Sequence, residues 1–417
     1  MHVFHVCPGR AEGTLRVQGA KNSALPILAA SLLVRGETVV RNCPRLADVD
    51  SAADILRFLG CRVRRDGDAV AVDASDVEAR AIPDDMMRRM RSSVIFLGAI
   101  LARTGQARMT YPGGCELGPR PVDMHLDALA RLGADIDEAD GHITARAGAL
   151  RGAEITLRFP SVGATENALI AAAAAQGVTV IRGAAREPEI ADLAGFLRRV
   201  GCRIRDDGGT LTVEGTGSPA GAAEHRVIAD RIAAGTYLCA AAATGGRVTL
   251  TDAETGHREA LLGVLREAGC EIQTGRGTVT LWAPERLRAP GTVITRPYPG
   301  FPTDLQAPLM AALLRAEGET RMVETIFGSR YRHAAELRKL GADIVCSGRE
   351  ARVRGVETLR GAAMTATDLR GGAAMLIGAL AAQGDSSVAE AAHIDRGYEA
   401  PEAAFGQLGI RLYRTNE

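Results

Sequence analysis

One signal recurs six times along these 417 residues, and any fold for the chain has to accommodate it. A leucine, valine or alanine precedes a glycine, and a short strand-like segment follows. The copies are Leu59-Gly60-Cys61-Arg62-Val63, Leu132-Gly133-Ala134-Asp135-Ile136, Val200-Gly201-Cys202-Arg203-Ile204, Ala268-Gly269-Cys270-Glu271-Ile272, Leu340-Gly341-Ala342-Asp343-Ile344 and Leu408-Gly409-Ile410-Arg411-Leu412. A second glycine, at Gly36, Gly105, Gly177, Gly246, Gly318 and Gly384, opens a β-rich segment in every copy. Both series keep a period of about 70 residues, the mark of a repeated supersecondary unit.

Each unit reads as helix, glycine, strand, loop, helix, Leu-Gly, strand, turn, strand. In the third copy the pattern predicts a first helix from Ala164 to Gln176, a strand from Val178 to Ile181 and a second helix from Asp192 to Val200. Gly201 then takes the position just past the helix end that glycine favours. Alternating helices and strands make each unit a small α/β layer. A chain of this length exceeds one ordinary core, so six units imply two domains of three, an α/β (α+β) architecture of βαβαββ-type repeats. Gly215-Thr216-Gly217-Ser218-Pro219-Ala220-Gly221 reads as the seam between copies three and four. The sixth copy ends with the chain, which leaves the strands at Met1 to Val6 and Thr14 to Val17 to complete the far domain. The expected domains are therefore 20–229, and 1–19 together with 230–417.

Composition narrows the function. Lys+Arg 50 balances Asp+Glu 50, so no global field recruits nucleic acid or a membrane surface. Aromatic residues are 4%, too few for a base-stacking surface. No apolar run is long enough to span a bilayer, and the N-terminus shows no secretory pattern. Eight cysteines, at positions 7, 43, 61, 115, 202, 239, 270 and 346, include no C-x-x-C pair. That argues against a zinc site and for reduced thiols in the cytoplasm. Cys61, Cys202 and Cys270 each open an apolar segment and read as core. No nucleotide-binding or metalloprotease motif is present, so no cofactor and no metal are expected. The chain is read as a monomer.

The chemistry gathers at equivalent places in the repeats. Fourteen or fifteen residues before each second-series glycine, where the first helix begins, stand Lys21-Asn22, Arg91, Ser161-Val162-Gly163, Arg231, Asp304 and Arg370. Helix starts present free N–H groups and the positive end of the dipole. Capping explains Ser161 and Asp304. It does not explain four cations placed against the dipole, which imply an anion that compensates them. The loops after the repeat strand hold a second set: Asp48, Cys115, Arg120, Arg186, Arg330 and Arg396. Of these, Cys115 lies in Tyr111-Pro112-Gly113-Gly114-Cys115, with Arg120 five residues on. The glycines let such a loop approach a ligand, and a nearby guanidinium favours the thiolate. His125 and His393 adjoin these loops. Arginine forks match carboxylate and phosphate, so the pattern points to a substrate with several negative charges.

Eight of these stretches carry a resemblance that runs end to end: Gly19 to Ser23, Met90 to Ser93, Pro112 to Asp123, Ser161 to Thr165, Ala185 to Glu189, Phe301 to Asp304, Ala366 to Arg370 and His393 to Tyr398. Together they resemble the UDP-N-acetylglucosamine 1-carboxyvinyltransferases, enolpyruvyl transferases of the EPSP synthase-like family. The resemblance implies two similar domains, each with three repeats, around an interdomain active-site cleft. It implies transfer of the enolpyruvyl group of phosphoenolpyruvate to the 3′-hydroxyl of UDP-N-acetylglucosamine, with release of phosphate. On the matching positions, Cys115 would be the general acid and Asp304 the base, with Lys21 and Arg396 also catalytic. Lys21, Asn22, Arg120, Arg370 and Arg396 would bind phosphoenolpyruvate. Arg91, Arg120, Pro121, Val122, Asp123, Met124, Ser161, Val162, Gly163, Asp304 and Ile326 would line the UDP-sugar site. Cys115 would also be the point of covalent attack by fosfomycin.

Two positions depart from many members of that family: Ile95 stands where tryptophan is common, and Phe159 where lysine is. Both bear on sugar-nucleotide contacts. Two rival readings are a transferase acting on shikimate 3-phosphate, which lacks the Pro-Gly-Gly-Cys loop, and a non-catalytic UDP-sugar sensor.

Overall fold

Only a residue without Cβ enters the left-handed region without strain, and the repeat glycines do so in every copy. Gly60, Gly133, Gly201, Gly269, Gly341 and Gly409 have φ between 75° and 103°. Each ends a helical segment and turns the chain into the strand that follows. The second series is left-handed at Gly105, Gly177, Gly318 and Gly384, with φ between 77° and 101°, whereas Gly36 is nearly extended at 158° and the fourth copy differs again. There Gly245, not Gly246, is left-handed at φ 64°. Gly246 serves a different need: a Cβ on it would lie 2.1 Å from the Ala11 carbonyl oxygen.

The computed structural model describes residues 2–113, 122–217 and 222–416. Among these, 19–228 form one unit, and 2–18 with 229–416 form another. The seam expected at Gly215–Gly221 lies partly outside the described residues. Each copy yields a small sheet carrying helices, and the fifth shows the pattern complete. Its strands lie in the order Thr292–Ile294, Glu319–Val323, Glu350–Arg354, Asp343–Ser347. The first pair is parallel and the rest antiparallel.

Strands from elsewhere in the sequence complete three other copies. The sixth has no second hairpin strand of its own, and His2–Val6 fills that place. It pairs antiparallel with both Ser386–Ala389 and Leu412–Asn416, with Phe4 opposite Val388 and Arg414. Glu12–Arg16 lies parallel to Arg247–Thr251 in the fourth copy. Ala223–Arg226 does the same for Glu37–Arg41 in the first. The second copy keeps a three-stranded sheet. A lone hydrogen bond from the Ile82 amide to the Arg108 carbonyl (3.1 Å) marks where its fourth strand would lie.

The two helices of each copy differ in kind. First helices are rich in alanine and apolar all round, so none of their faces suits water. Every residue of Arg231–Ala243 and of Gln306–Ala312 is buried, as are all but the first of Leu369–Leu380. These three pack pairwise at the centre of their unit. The close approach needs small residues: a Cβ on Gly235 would meet Leu305 at 2.7 Å. Second helices are amphipathic; Glu259–Glu267 buries only Leu261, Leu262 and Leu265.

Third-copy boundaries move from their expected places. The first helix is Val162–Ala174, because the Ser161 hydroxyl accepts from the Ala164 amide and starts it earlier. The second is Pro188–Arg199, with proline at its start, where a missing N–H costs nothing. Cys61, Cys202 and Cys270 are buried, and burial raises all three thiols, to about 12, 11 and 12. No helix among the described residues is long and apolar enough to cross a membrane.

Candidate active site

Buried along their length, the central helices admit polar side chains mainly at their starts. Cys115, Arg120 and Pro121 lie outside the described residues, so the site consists of what the remaining positions build in each unit.

In unit 19–228, Lys21 opens the Lys21–Ala30 helix, whose start has no side-chain cap. Its ammonium donates to Asp48 at 3.1 Å, with side-chain exposures of 11% and 3%. Asp48 sits in the first turn of Ala47–Phe58, so one carboxylate faces both Lys21 and the positive end of that helix's dipole. Asn22 beside it is half-buried.

Arg91 begins a 3-10 turn, Arg91–Ile95; the α-helix itself starts at Phe96. Its guanidinium donates to the Pro112 carbonyl at 3.0 Å and so fixes the approach to the cysteine loop. Ser161 caps its helix, and Val162 and Gly163 are half-buried beside it. Gly163 faces His125: a Cβ there would come within 3.0 Å of Cε1. Burial, aided by the charge of Arg91, pushes the His125 imidazole down to about 4. Asn167 holds that ring. Its amide nitrogen lies 3.1 Å from His125 Nδ1 and donates to the Val94 carbonyl at 3.0 Å, while its oxygen accepts from the Gly98 amide at 2.8 Å. Val122 precedes the Asp123–Arg131 helix and is buried; Met124 is half-buried. Asp123 pairs with Arg158, whose hydrogen bond holds the carboxyl below its usual range. Of the two departures, Ile95 is buried and Phe159 is 40% exposed, two residues before Ser161.

The other unit builds a charge cluster around Asp304. This residue lies in the turn Thr303–Leu305 ahead of Gln306–Ala312. Its Oδ1 accepts from Arg330 Nη2 at 2.8 Å, and its Oδ2 accepts from Arg370 Nη2 and Nε at 3.1 and 3.3 Å. Both arginine side chains are 3% exposed, against 29% for Asp304. Arg370 is the second residue of its helix. Asp368 caps that helix, accepting from the Arg370 and Gly371 amides. The Arg370 guanidinium lies over the Tyr398 ring at 5.4 Å, and the Tyr398 hydroxyl is 2.9 Å from Thr236 Oγ1. Burial works against the charge on Arg370, but Tyr398, Asp304 and Asp230 together raise its proton affinity above the ordinary value.

Ile326 is placed by a carboxylate that the sequence reading missed. Glu324 is 1% exposed and accepts four hydrogen bonds: from Thr295 Oγ1 (3.0 Å), Thr303 Oγ1 (2.8 Å) and the amides of Ile326 (2.7 Å) and Phe327 (3.1 Å). One side chain thus fixes both Ile326 and the turn that carries Asp304. Arg396 is half-buried at the end of Ala392–Asp395, on the segment that leads to Tyr398. Arg231 is 7% exposed, opens a helix capped by Asp230, and lies over the Tyr298 ring at 5.7 Å.

The structure therefore joins Asp304 to Arg370 and, in addition, to Arg330. It joins Lys21 to Asp48, and it gathers Arg91, His125 and Gly163. The compensating anions expected for Lys21 and Arg370 are found inside the chain, as Asp48 and Asp304. Asn167 and Glu324 escaped notice because a polar residue inside an apolar run carries no periodic signal.

The sequence profile of EPSP synthase (3-phosphoshikimate 1-carboxyvinyltransferase) matches residues 7–403. The chain belongs to the EPSP synthase family. Within it, the chain is 48% identical to UDP-N-acetylglucosamine 1-carboxyvinyltransferase 2 of Caldanaerobacter subterraneus subsp. tengcongensis, over 97% of each chain. It is 46% identical to UDP-N-acetylglucosamine 1-carboxyvinyltransferase 1 of Symbiobacterium thermophilum, covering 97% of this chain and 93% of that one. Among solved structures it resembles the enolpyruvyl transferase NikO from Streptomyces tendae, with a TM-score of 0.88, 26% identity, and 100% and 99% of the two chains covered. EPSP synthase from Acinetobacter baumannii shares the fold at a TM-score of 0.75 and 18% identity, over 100% of both chains. The α/β fold expected from the repeats is thus the fold of this family.

Proposed function

We propose that this enzyme transfers the enolpyruvyl group of phosphoenolpyruvate to the 3′-hydroxyl of UDP-N-acetylglucosamine, releasing inorganic phosphate, as a step of peptidoglycan biosynthesis. The observation that carries the reading is the near end-to-end identity, 42% to 48%, with relatives named for that reaction. The shikimate 3-phosphate alternative is the reaction that names the family profile, which fixes the family and not the acceptor; beyond that it rests on solved structures at 18% identity, which speak for fold alone.

The roles proposed are those that the family resemblance implies. Carbon 3 of phosphoenolpyruvate gains a proton from the Cys115 thiol, and positive charge develops at carbon 2. The sugar hydroxyl loses its proton to Asp304 and its oxygen bonds to carbon 2, giving a tetrahedral adduct. The Cys115 thiolate takes back one methyl proton as phosphate departs with the proton held by Asp304, which restores the double bond and returns both side chains to their starting forms. Each positioned acid or base supplies typically ~10²–10⁴-fold. Lys21, Asn22, Arg120, Arg370 and Arg396 hold the carboxylate and phosphate, where fixed cations stabilise the charge that builds on departure. Arg91, Arg120 to Met124, Ser161 to Gly163, Asp304 and Ile326 take the sugar nucleotide. In support, Gly163 and Arg91 are drawn together around His125, and Ile326 and Asp304 around Glu324.

The test is phosphate release from phosphoenolpyruvate with each acceptor in turn. Release with UDP-N-acetylglucosamine and none with shikimate 3-phosphate is expected; the reverse overturns the assignment, and binding without release revives the sensor. Fosfomycin is expected to alkylate Cys115, and Cys115→Ser to lose both turnover and labelling, read by phosphate assay and intact mass. Retained turnover removes Cys115 from the mechanism. The same reading has the protein monomeric and cytoplasmic, the first point being open to sedimentation.

A further inference from the structure

Asp304 is cast as a base, yet its surroundings work against that role. Two guanidiniums at hydrogen-bonding distance favour the ionised carboxylate, and each opposite charge this close weakens its pull on a proton. A carboxylate so clamped is a poor acceptor for a sugar hydroxyl's proton. The arginines meanwhile retain unused capacity. Arg330 Nε and Arg370 Nη1 are buried without a hydrogen-bond partner. Their side chains are almost closed to water while Asp304 keeps 29% exposure, so the carboxylate is the cluster's open side. Arg330 has other anchors in the Thr303 carbonyl and the Phe327 ring, and Arg370 has the Tyr398 ring. Neither guanidinium depends on Asp304 alone for its place.

We propose that the Asp304 carboxylate is an internal stand-in for the anionic substrate, and that an incoming carboxylate or phosphate group displaces it from Arg370. The exchange does two things at once. It gives the anion a preformed, buried guanidinium, and it releases Asp304 from one of its two cations, strengthening it as a base only when the anion is seated. The sequence of events is thereby coupled: no anion, no competent base. This rests on the reading above for the identity of the anion.

The experiment measures binding without acceptor. Wild type, Asp304→Asn and Asp304→Ala, each checked for a cooperative melt, are titrated calorimetrically with phosphoenolpyruvate, inorganic phosphate and pyruvate. Removing the internal competitor is expected to tighten phosphoenolpyruvate roughly 5- to 10-fold in at least one variant, while turnover falls. Matching tightening for phosphate or for pyruvate shows which group replaces Asp304. A carboxylate that merely holds the arginines in place predicts the opposite, and unchanged or weaker binding in every folded variant overturns the exchange. A crystal structure of the wild-type protein with phosphoenolpyruvate alone needs no variant. Arg370 is expected to contact the ligand and to have left Asp304; a ligand bound with both Asp304–Arg370 contacts intact overturns the proposal. Failure of the wild type to release phosphate with UDP-N-acetylglucosamine sinks the acceptor assignment and leaves the exchange standing.

Discussion

Both units place a cation at the start of a central helix and a carboxylate against it, but to different ends. Lys21 meets Asp48, whose side chain is 3% exposed and which lies in the first turn of its own helix, at the positive end of the dipole. Arg370 meets Asp304, which is 29% exposed and shared with Arg330. The first pair is closed; its carboxylate has no open side. The second is an excess of buried positive charge facing one accessible carboxylate. The same repeat position thus yields a fixed ion pair in one unit and an exchangeable one in the other, and solvent access to the carboxylate sets the difference.

The sharpest way to break the comparison is Asp48→Ala. Removing one partner of a buried pair leaves an uncompensated charge, which costs about 3–5 kcal/mol. Urea denaturation of Asp48→Ala is expected to show a loss in that range, and Lys21→Met in the same background is expected to recover most of it. A loss below about 1 kcal/mol would mean that water reaches Lys21, and the contrast with Asp304 would fail.

Next in size is Glu324→Gln. Four donors converge on this carboxylate, and an amide in its place turns one acceptor into a donor that faces them. A buried group left unsatisfied costs about 1–3 kcal/mol. Because Glu324 holds the Asp304 turn, kcat is expected to fall at least tenfold, more than the loss of stability at the assay temperature accounts for. Unaltered kcat in a destabilised variant would reduce Glu324 to a packing residue.

How much of this the residues announced depends on periodicity. The six glycines were legible because a left-handed turn admits little else, and the helix starts because they keep a constant offset from those glycines. The switch from Gly246 to Gly245 was not, since adjacent glycines look alike until Ala11 comes within contact distance. Lys21, Arg91 and Arg370 stood out as charges placed against a helix dipole. Their partners did not: Asp48 was grouped with the loop residues after the repeat strand, Asp304 fitted a cap, and nothing in the order of residues says that Arg330 and Arg370 reach the same carboxylate. Such pairings are set by how the repeats pack.

Acidity tests both units at once, since each buries a histidine near an arginine, His125 near Arg91 and His333 near Arg330. Burial lowers His125, to about 4, and likewise depresses His333 despite the nearby Asp368. A histidine held neutral in the folded state and free to protonate when unfolded, at about 6.5, adds stability in full above 6.5. That stability is lost as the pH falls from 6.5 toward 4. Melting temperature is expected to drop through this window by several degrees, and His125→Gln to remove part of the drop. A flat profile between pH 6.5 and 4.5 would show that the two rings reach water.

The smallest expected effect is the most local. Gly163 needs no special backbone angle; it is small because His125 is there, with 3.0 Å between the ring and any added Cβ. Asn167 pins the ring, so it cannot retreat without giving up that contact. Gly163→Ala therefore tilts either the imidazole or the first turn of the helix by a few tenths of an ångström, at a stability cost of about 1 kcal/mol. If Ser161 to Gly163 receive the sugar nucleotide, KM for UDP-N-acetylglucosamine rises several-fold while KM for phosphoenolpyruvate and kcat stay put. An equal rise for both substrates would place the Gly163 turn outside the sugar-nucleotide site.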